Sequence, residues 1–579
     1  MAGVFKPLVL AATLPMLMAA SPWVPDRGDG TYRNPVLAGD YSDPDVIRVG
    51  DDFYLTASSF TNVPGLPILH SKDLVNWEII GHALTVVPPE AHFATPRHGG
   101  GVWAPSIRRR DGKFLIYYPD PDRGIFLTTA TDPAGPWTAP VLVDASRGAI
   151  DPAPFWDDDG AGWLVMAWAK SRAGFNNVIT LKRLNADGTR TIGEGMAIIE
   201  ADKMPPVRTS RGPAPWLTTE GPKLYKRDGW YYVFAPSGSV KGGWQGVFRS
   251  RRITGPYEGR DVLDQGRSPV NGPHQGAWIT TAKGQDWFVH FQDTDSYGRR
   301  TWLEPMTWRR GWPVIGADPD GDGIGEPVLA WKKPVAGGSA TTPGADDNFQ
   351  GPPSLAWQWN ANPREDWVSP TTAPGRLRLK AISSPTNLWE AGAILTQKLP
   401  AERFSATVRL RLSPRAVGER AGLVIYGADY AWIGLEKTAE RVRLVRVDRP
   451  GAAASQSETV AVALADAPSE VVLRLSAEPV TVPEPPPGFS PYFPAMLRSV
   501  HARVSLSYSL DGRTFTAVGE PFVSRPGRWV GAQIGLFAQA PSGTPANTAA
   551  TVGWADFDDF RIGPADADPR ATTLETARP

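Results

Sequence analysis

The stretch RDGWYYVFA at residues 227–235 is one copy of a sequence pattern that occurs five times in the first half of the chain. Each copy places a polar turn before a strand rich in aromatic residues. The others are GDDFYL at 50–55, RDGKFLIYY at 110–118, DDGAGWLVMAW at 158–168 and, more loosely, KGQDWFVHF at 283–291. Asp-Gly between apolar runs favours a hairpin, because glycine tolerates the positive φ of the turn. The repetition predicts an all-β protein built from five small antiparallel sheets, as in a β-propeller.

The position eight residues before each turn aspartate carries chemically distinct side chains. In the order of the repeats these residues are Asp43, Trp103, Asp151, Glu220 and, near the matching place of the fifth unit, His274. Equivalent positions at the start of innermost strands converge on a propeller's central channel. An Asp-Pro pair taken alone is often only a turn starter, and a tryptophan is often plain core. The shared register favours a functional pocket for the set.

The chemistry of this set is that of sugar hydrolysis. One carboxyl group can protonate the leaving oxygen while a second activates water or attacks directly, and a third nearby carboxylate raises the proton affinity of the acid. The chain also contains 23 tryptophans, and flat aromatic faces are suited to packing against sugar rings.

An ordered series of motifs resembles glycoside hydrolase family 43 over about residues 32–333. The motifs are NPVLAGDYSDPDVIRVGDDFYLTASSF at 34–60, HSKDLVNW at 70–77, GGGVWAPSI at 99–107, IDPAPFWDDDG at 150–160, TTEGPKLYKRDGWYY at 218–232, NGPHQGAWI at 271–279 and YGRRTWLEPMTWRRGWPVIG at 297–316. The resemblance implies a five-bladed β-propeller that hydrolyses glycosides with inversion. It implies the following roles: Asp43 as general base, Glu220 as general acid, Asp151 as the residue that orients the acid and raises its pKa, Trp103 and Phe60 as walls of the terminal sugar site, His274 at the channel centre, and Arg299 in contact with sugar.

Composition excludes several other function classes. Lys plus Arg and Asp plus Glu are equal at 60 each, so no net charge attracts a nucleic acid. The chain has no cysteine, which removes disulfides, thiolate nucleophiles and zinc–thiolate sites. No Walker loop, HExxH or GxSxG motif is present.

The flanking segments predict export and a second domain. Residues 1–22 resemble a secretory signal peptide, and no later stretch is long and apolar enough to form a transmembrane segment. We predict a propeller over 30–333, a linker over 334–345, a β-sandwich over 346–564 and a disordered tail over 565–579. The sandwich resembles the one that accompanies this hydrolase branch, and we expect it to pack near the channel mouth and lend an aromatic to its rim, with Phe537 as the candidate.

Metal binding is a separate question. Asp318, Asp320 and Asp322 mimic the start of an EF-hand loop, but its twelfth position is Leu329 instead of a bidentate Glu. The EF-hand interpretation therefore fails, and no metal ligand is assigned, although a structural calcium of another kind remains open there. The family resemblance also leaves open a structural calcium at the ends of the sandwich or beside His274.

The sequence thus predicts a periplasmic or secreted, inverting exo-glycosidase that removes terminal xylose or arabinofuranose from plant cell-wall oligosaccharides, with no cofactor required for catalysis. A carbohydrate-binding propeller without activity and a retaining, fructan-active propeller enzyme are the alternatives. The motifs leave open the sugar, the linkage and the oligomeric state.

Overall fold

The computed structural model describes residues 21–344, 346–369, 375–482, 499–543 and 552–565. The predicted signal peptide falls outside these ranges up to residue 20, and the predicted tail does so from residue 566. The described chain is nearly all β and forms a five-bladed propeller followed by a β-sandwich, which confirms the predicted fold class. None of the helices in these ranges is long and apolar enough to cross a membrane.

The propeller is built from consecutive antiparallel sheets. Two strands precede the first blade: β1 (Thr31–Arg33) and β2 (Leu37–Asp40). Blade 1 contains β3 (Asp45–Val49), β4 (Asp52–Thr56), β5 (Gly65–Ser71) and β6 (Glu78–Leu84). Blade 2 contains β7 (Ser106–Arg110), β8 (Lys113–Asp120), β9 (Gly124–Ala130) and β10 (Val141–Asp144). Blade 3 contains β11 (Ala149–Trp156), β12 (Gly162–Trp168), β13 (Val178–Leu184) and β14 (Thr191–Glu200), with helix α1 (Lys170–Ala173) between β12 and β13.

The last two blades follow a short hairpin. The hairpin strands are β15 (Val207–Thr209) and β16 (Gly212–Ala214). Blade 4 contains β17 (Lys223–Arg227), β18 (Trp230–Ser237), β19 (Trp244–Ser250) and β20 (Glu258–Leu263). Blade 5 contains β21 (His274–Thr280), β22 (Asp286–Asp293), β23 (Arg299–Arg309) and β24 (Trp312–Ile315), and β2 pairs with β23. The strand from the beginning of the domain thus closes the ring, and β25 (Ala330–Lys332) pairs with β1.

The predicted hairpin turns explain why the blades form where they do. Asp111 and Gly112 have φ values of 48° and 77°, and Asp228 and Gly229 have 49° and 70°. Two consecutive positive φ values define the two-residue turn whose twist matches that of the flanking strands. The Asp-Gly pairs therefore fix the register of the inner hairpins in blades 2 and 4.

The blades are held together by apolar side chains buried between neighbouring sheets. Val46, Leu55 and Leu69 of blade 1 pack in one cluster with Val289 and Leu303 of blade 5. Burial of each such side chain contributes about 1.5–3 kcal/mol relative to leaving it exposed. The central strands are buried on both faces, so they read as near-continuous apolar runs and not as strict alternation.

The second domain consists of two facing sheets. One contains β26 (Gln358–Trp359), β28 (Ile382–Ser383), β29 (Ile394–Lys398), β31 (Arg420–Tyr426), β32 (Tyr430–Lys437), β33 (Val442–Arg449), β34 (Thr459–Leu464) and β39 (Gln533–Ala540). The other contains β27 (Leu377–Lys380), β30 (Phe404–Ser413), β35 (Glu470–Val482), β36 (Ser499–Ser509), β37 (Thr516–Ala517), β38 (Phe522–Val523) and β40 (Trp554–Gly563). Four short 3₁₀ turns, at Ala201–Lys203, Asp295–Tyr297, Leu388–Glu390 and Ala452–Ala454, complete the described secondary structure.

The sandwich packs directly on the propeller. Val63 and Trp359 exchange backbone hydrogen bonds of 3.0 and 2.5 Å across the interface. Gly531 of the sandwich approaches so closely that a Cβ there would lie 2.6 Å from the backbone nitrogen of Gly298. Its N–H donates to Asp40 Oδ2 at 2.8 Å. The sandwich is thus positioned beside the start of β23, where Arg299 lies.

Candidate active site

The two predicted aspartates occupy the same backbone conformation in different blades. Asp43 lies two residues before β3, and Asp151 lies near the start of β11, at an irregularity in its pairing. Their φ values are 54° and 55°, a left-handed conformation that aspartate tolerates better than most residues but that still costs free energy. Both residues are almost fully buried. The repeat register therefore corresponds to a common, strained local structure at the channel.

Asp43 is held by two donors. Ser58 Oγ donates to Asp43 Oδ2 at 2.5 Å, and Arg299 Nη1 lies 3.2 Å from Oδ1 and 3.4 Å from Oδ2. Arg299 is itself positioned by Asp40, whose Oδ1 accepts its backbone N–H at 2.8 Å. These donors suit a carboxylate anion and fix its orientation, as a general base requires.

Asp151 and Glu220 are two neighbouring carboxyl groups whose charges affect each other. The backbone N–H of Gly221 donates to Asp151 Oδ2 at 2.8 Å, so the loop that carries Glu220 is tied to Asp151. Burial raises the pKa of Asp151, and the charge of Asp43 acts in the same direction, although the Gly221 bond and Lys223 oppose it. Two adjacent carboxyl groups with raised pKa values do not ionise together easily.

Glu220 is the group best suited to donate a proton. Burial, with further contributions from the charges of Asp151 and Asp43, raises the pKa of Glu220 to about 8, while Arg299 acts in the opposite direction. Its side chain is nevertheless 23% exposed, so a ligand in the channel can reach it. Burial and the neighbouring carboxyl groups therefore favour the protonated form of Glu220, and its partial exposure leaves it accessible, as a general acid requires.

His274 begins β21 and lies beside Glu220. Its Nε2 lies 3.8 Å from Glu220 Oε1, and its side chain is completely buried. Burial lowers the pKa of His274 to about 3, with smaller contributions from the charges of Arg299 and His290. The ring is therefore neutral, and it contacts the acid instead of facing an open sugar site.

Aromatic rings form the wall of the site. The ring centroids of Phe60 and Trp103 are 6.4 Å apart, and Trp529 of the sandwich meets Trp103 edge-on at 6.3 Å. The guanidinium of Arg299 lies 5.5 Å from the centre of the Trp529 ring. Trp529 thus links Arg299 to Trp103, and the second domain supplies an aromatic ring to this cluster.

The prediction that Phe537 lends an aromatic ring to the rim is wrong. Phe537 is only 1% exposed and packs edge-on against Trp432 inside the sandwich, with Ile394 and Val424 in the same buried cluster. It lies on β39, where its side chain is enclosed by neighbouring strands. Trp529 instead lies on the loop before β39, whose backbone is anchored to the propeller through Gly531.

Several residues of the site were not identified by the sequence analysis. Ser58 and Asp40 lie within the motif at 34–60, but the sequence analysis gave them no role, and they matter because folding brings them to Asp43 and Arg299. Lys223 is fully buried and donates to Ser106 Oγ at 2.8 Å. A lysine three residues after Glu220, at the start of β17, was a usable signal. An isolated tryptophan in the Pro/Gly-containing loop SRPGRW at 524–529 was another.

The geometry brings together all five predicted positions of the propeller repeat and supplies two complementary carboxyl groups. Glu220 carries a proton that a leaving oxygen can take, and Asp43 offers anchored oxygens that can accept a proton from water. This is the division of roles that hydrolysis of a glycosidic bond requires.

Comparison with known proteins gives a consistent result. The family model described as glycosyl hydrolases family 43 matches residues 32–313, and the model described as the beta xylosidase C-terminal Concanavalin A-like domain matches residues 346–562. A putative beta-xylosidase from Xylanibacter ruminicola is 41% identical over 71% of this chain and 74% of its own length. A non-reducing end alpha-L-arabinofuranosidase from Bacteroides ovatus is 30% identical over 72% and 78%. The crystal structure of a family-43 protein from Bacillus licheniformis, 26% identical, superposes with a TM-score of 0.75 over 92% of this chain and all of that one.

Proposed function

This chain belongs to family 43 of the glycosyl hydrolases, and on that basis we propose that it is an inverting exo-glycosidase that removes terminal xylose or arabinofuranose from plant cell-wall oligosaccharides. The observation that carries the proposal is the contrast between Glu220, whose pKa is raised to about 8, and Asp43, which is held by Arg299 and Ser58. One group is equipped to give a proton and the other to take one.

The reaction proceeds in a single displacement. Glu220 transfers its proton to the glycosidic oxygen as the bond from that oxygen to the anomeric carbon breaks. A water molecule on the opposite face adds its oxygen to the anomeric carbon and gives a proton to Asp43. Asp43 ends protonated and Glu220 ionised, and exchange with solvent restores both groups. The chain's own carboxyl groups supply every proton transfer, so the proposal needs no cofactor.

Asp151 acts through Glu220. Its carboxylate accepts the Gly221 N–H and thereby holds the acid-bearing loop, and its charge disfavours ionisation of Glu220. Both effects keep a proton on the acid until the leaving oxygen takes it.

The exo mode is supported by the enclosure of the site. A propeller face alone is an open funnel, but here the sandwich loop places Trp529 against Trp103 and over Arg299. A wall of this kind limits the depth of the site, so that it holds only one terminal sugar ring. The name of the Bacteroides relative, which specifies a non-reducing end, agrees with this mode of action.

The proposal includes both xylose and arabinofuranose as the terminal sugar, because the relatives' names include both sugars. We test it by measuring kcat/KM of the full chain on a panel of nitrophenyl pentosides and hexosides. We expect turnover of a β-xyloside or an α-L-arabinofuranoside and little turnover of any hexoside. Exclusive hexoside turnover would contradict the pentose proposal, and no turnover at all would favour a carbohydrate-binding propeller.

We further propose that the protein is exported to the periplasm or secreted, because residues 1–22 have the charge, apolar run and small residues of a signal peptide. Determination of the N-terminus of protein recovered from the extracytoplasmic fraction tests this. A mature N-terminus within about residues 20–23 is expected, and intact protein confined to the cytoplasm would contradict it.

A further inference from the structure

Arg299 faces a second carboxylate besides that of Asp43. Asp293 ends β22 and Arg299 begins β23, and the two residues are paired directly across the hairpin. The side chains of such a pair project from the same face of a sheet. Asp293 Oδ2 lies 3.7 Å from Arg299 Nε, whereas Asp43 Oδ1 lies 3.2 Å from Nη1 of the same guanidinium. The arginine therefore lies between two carboxylates, and only Asp43 has a role in the proposed reaction.

Asp293 has neighbours of its own that hold it in place. Its Oδ1 accepts the N–H of Asp295 at 3.1 Å, and Lys241 Nζ lies 3.8 Å from the same oxygen. Burial raises the pKa of Asp293, while the charges of Lys241 and Arg299 act in the opposite direction. On the other side of the pair, Arg299 is 7% exposed, and its Nε has no hydrogen-bond partner among the described residues. The charge of Asp293 therefore acts mainly on these two cations.

The turn that joins β22 to β23 is held by the sandwich. Asp295 Oδ2 accepts the N–H of Val500 at 2.8 Å, and Ser296 Oγ donates to the carbonyl oxygen of Ser524 at 2.9 Å. Both acceptor and donor in the turn thus bind residues of the second domain. The relative position of the two strand ends is fixed by these contacts, so the separation of the carboxylate from the guanidinium is set by the fold.

We propose that Asp293 is a positioning residue that shares Arg299 with Asp43 and thereby limits how strongly the arginine holds the base. This inference rests on the proposed role of Asp43 in the hydrolysis. An arginine paired with a single carboxylate stabilises the anion and makes it a weaker proton acceptor. A second carboxylate beside the same guanidinium reduces that stabilisation. Asp43 is then oriented by Arg299 and can still take a proton from water.

Other charged groups surround this arrangement, and their effects must be separated from that of Asp293. They are Asp40 at the end of β2, Asp151 and Glu220 in the channel, Lys241 between β18 and β19, and Asp295 in the turn after β22. Arg299 also lowers the pKa of Glu220, so a change at Asp293 reaches the acid as well as the base. A substrate with a good leaving group removes this ambiguity, because its hydrolysis depends little on the acid.

The test is the pH dependence of kcat and kcat/KM of the full chain carrying Asp293→Asn, measured on a nitrophenyl pentoside. The Asn oxygen can still accept the Asp295 N–H, so the substitution removes the charge and retains the turn. Asp43 acts as an anion, and activity is lost as pH falls and the anion is protonated. Removal of a nearby negative charge should move this acidic limb to lower pH by roughly 0.5–1 pH unit, less than the 1–3 produced by a charge in direct contact. The weaker base should lower the plateau kcat by about 2–3-fold with KM nearly unchanged.

Two further variants make the test specific. Lys241→Met removes the cation beside Asp293 and should move the acidic limb to higher pH, the opposite direction. Lys241 is 20% exposed, so this variant also keeps the proposal testable if Asp293→Asn does not fold. Asp158→Asn makes an equal charge change on a turn aspartate that is 86% exposed, and it should leave the profile unchanged.

Two outcomes would overturn the proposal. One is an acidic limb that stays in place in both variants while Tm falls, because Asp293 would then only support the turn. The other is a shift of the same sign in both, since removal of opposite charges must act in opposite directions. Proton NMR of the first product of the parent separates these outcomes from failure of the proposed function. Retention would refute Asp43 as the base, whereas opposite shifts in the two variants would still show that Asp293 acts on the Asp43 carboxyl group through Arg299.

Discussion

Replacing Asp151 with Asn isolates the electrostatic support of the acid. Gly221 N–H donates to Asp151 Oδ2 at 2.8 Å, and an Asn oxygen can accept the same bond, so the loop geometry is retained while the charge is lost. The pKa of Glu220 is about 8 in the parent, raised first by burial and then by Asp151. A single charge at close range shifts the pKa of a neighbouring carboxyl group by about 1–3, so removal of the Asp151 charge should lower the pKa of Glu220 by an amount within that range.

The sign of the effect on activity follows from the role of the acid. Glu220 acts when protonated, so activity is lost as pH rises through its pKa. The basic limb of the kcat/KM profile should therefore move from near pH 8 in the parent to lower pH, by about 1–3 pH units, and activity at acidic pH should persist. The assay is hydrolysis of xylobiose, because a poor leaving group requires the proton. Asp158→Asn, in the same blade but exposed to solvent, is the matched control and should leave the profile unchanged.

A different result would refute this reasoning. If the Asp151→Asn profile keeps its shape and only falls in height, the carboxylate does not tune Glu220 and binds the sugar instead. A profile that also moves in Asp158→Asn would mean that long-range charge, and not the contact at Gly221, sets the basic limb.

Three further outcomes are expected. Glu220→Gln should reduce kcat on xylobiose by about 10²–10⁴-fold but spare an activated nitrophenyl glycoside, and equal losses on both substrates in steady-state kinetics would exclude Glu220 as the acid. Trp529→Ala should lower kcat/KM on xylobiose by roughly 2–10-fold, the effect of losing an aromatic contact of about 0.5–1.5 kcal/mol, whereas Trp331→Ala, a comparably exposed tryptophan on β25, should have no effect in the same assay. Phe537→Ala should cost about 3–5 kcal/mol of unfolding free energy and lower Tm with KM unchanged, and a raised KM with unchanged Tm would return Phe537 to the rim.

The parts of the fold that local chemistry determines were predictable. Asp111-Gly112 and Asp228-Gly229 specify turns by themselves, because the positive φ values depend on the residues that occupy them. The turn aspartates of all the repeats, including Asp51 and Asp159, provided the reference from which Asp43, Asp151 and Glu220 could be placed in one register. Repetition therefore turned local signals into a prediction of the channel and its carboxylates.

Contacts between distant parts of the chain were not predictable. Trp529 meets Trp103 only because the sandwich packs against the propeller. Phe537 was the aromatic residue predicted for the rim, but it lies on a buried strand, and a large apolar residue on a strand is more often part of a core. The position of a loop such as 524–531 depends on what it packs against, here Gly298 and Asp40.

The central claim is that Glu220 and Asp43 act as acid and base in a single inverting displacement. The most direct test is proton NMR of the first sugar released from a β-xyloside or, if that is the preferred substrate, an α-L-arabinofuranoside, recorded before mutarotation. The account predicts that α-xylose, or β-arabinofuranose from the arabinoside, appears first. Initial release of the anomer present in the substrate would show retention, which requires a nucleophilic carboxylate and would contradict the assignment of Asp43 as a base.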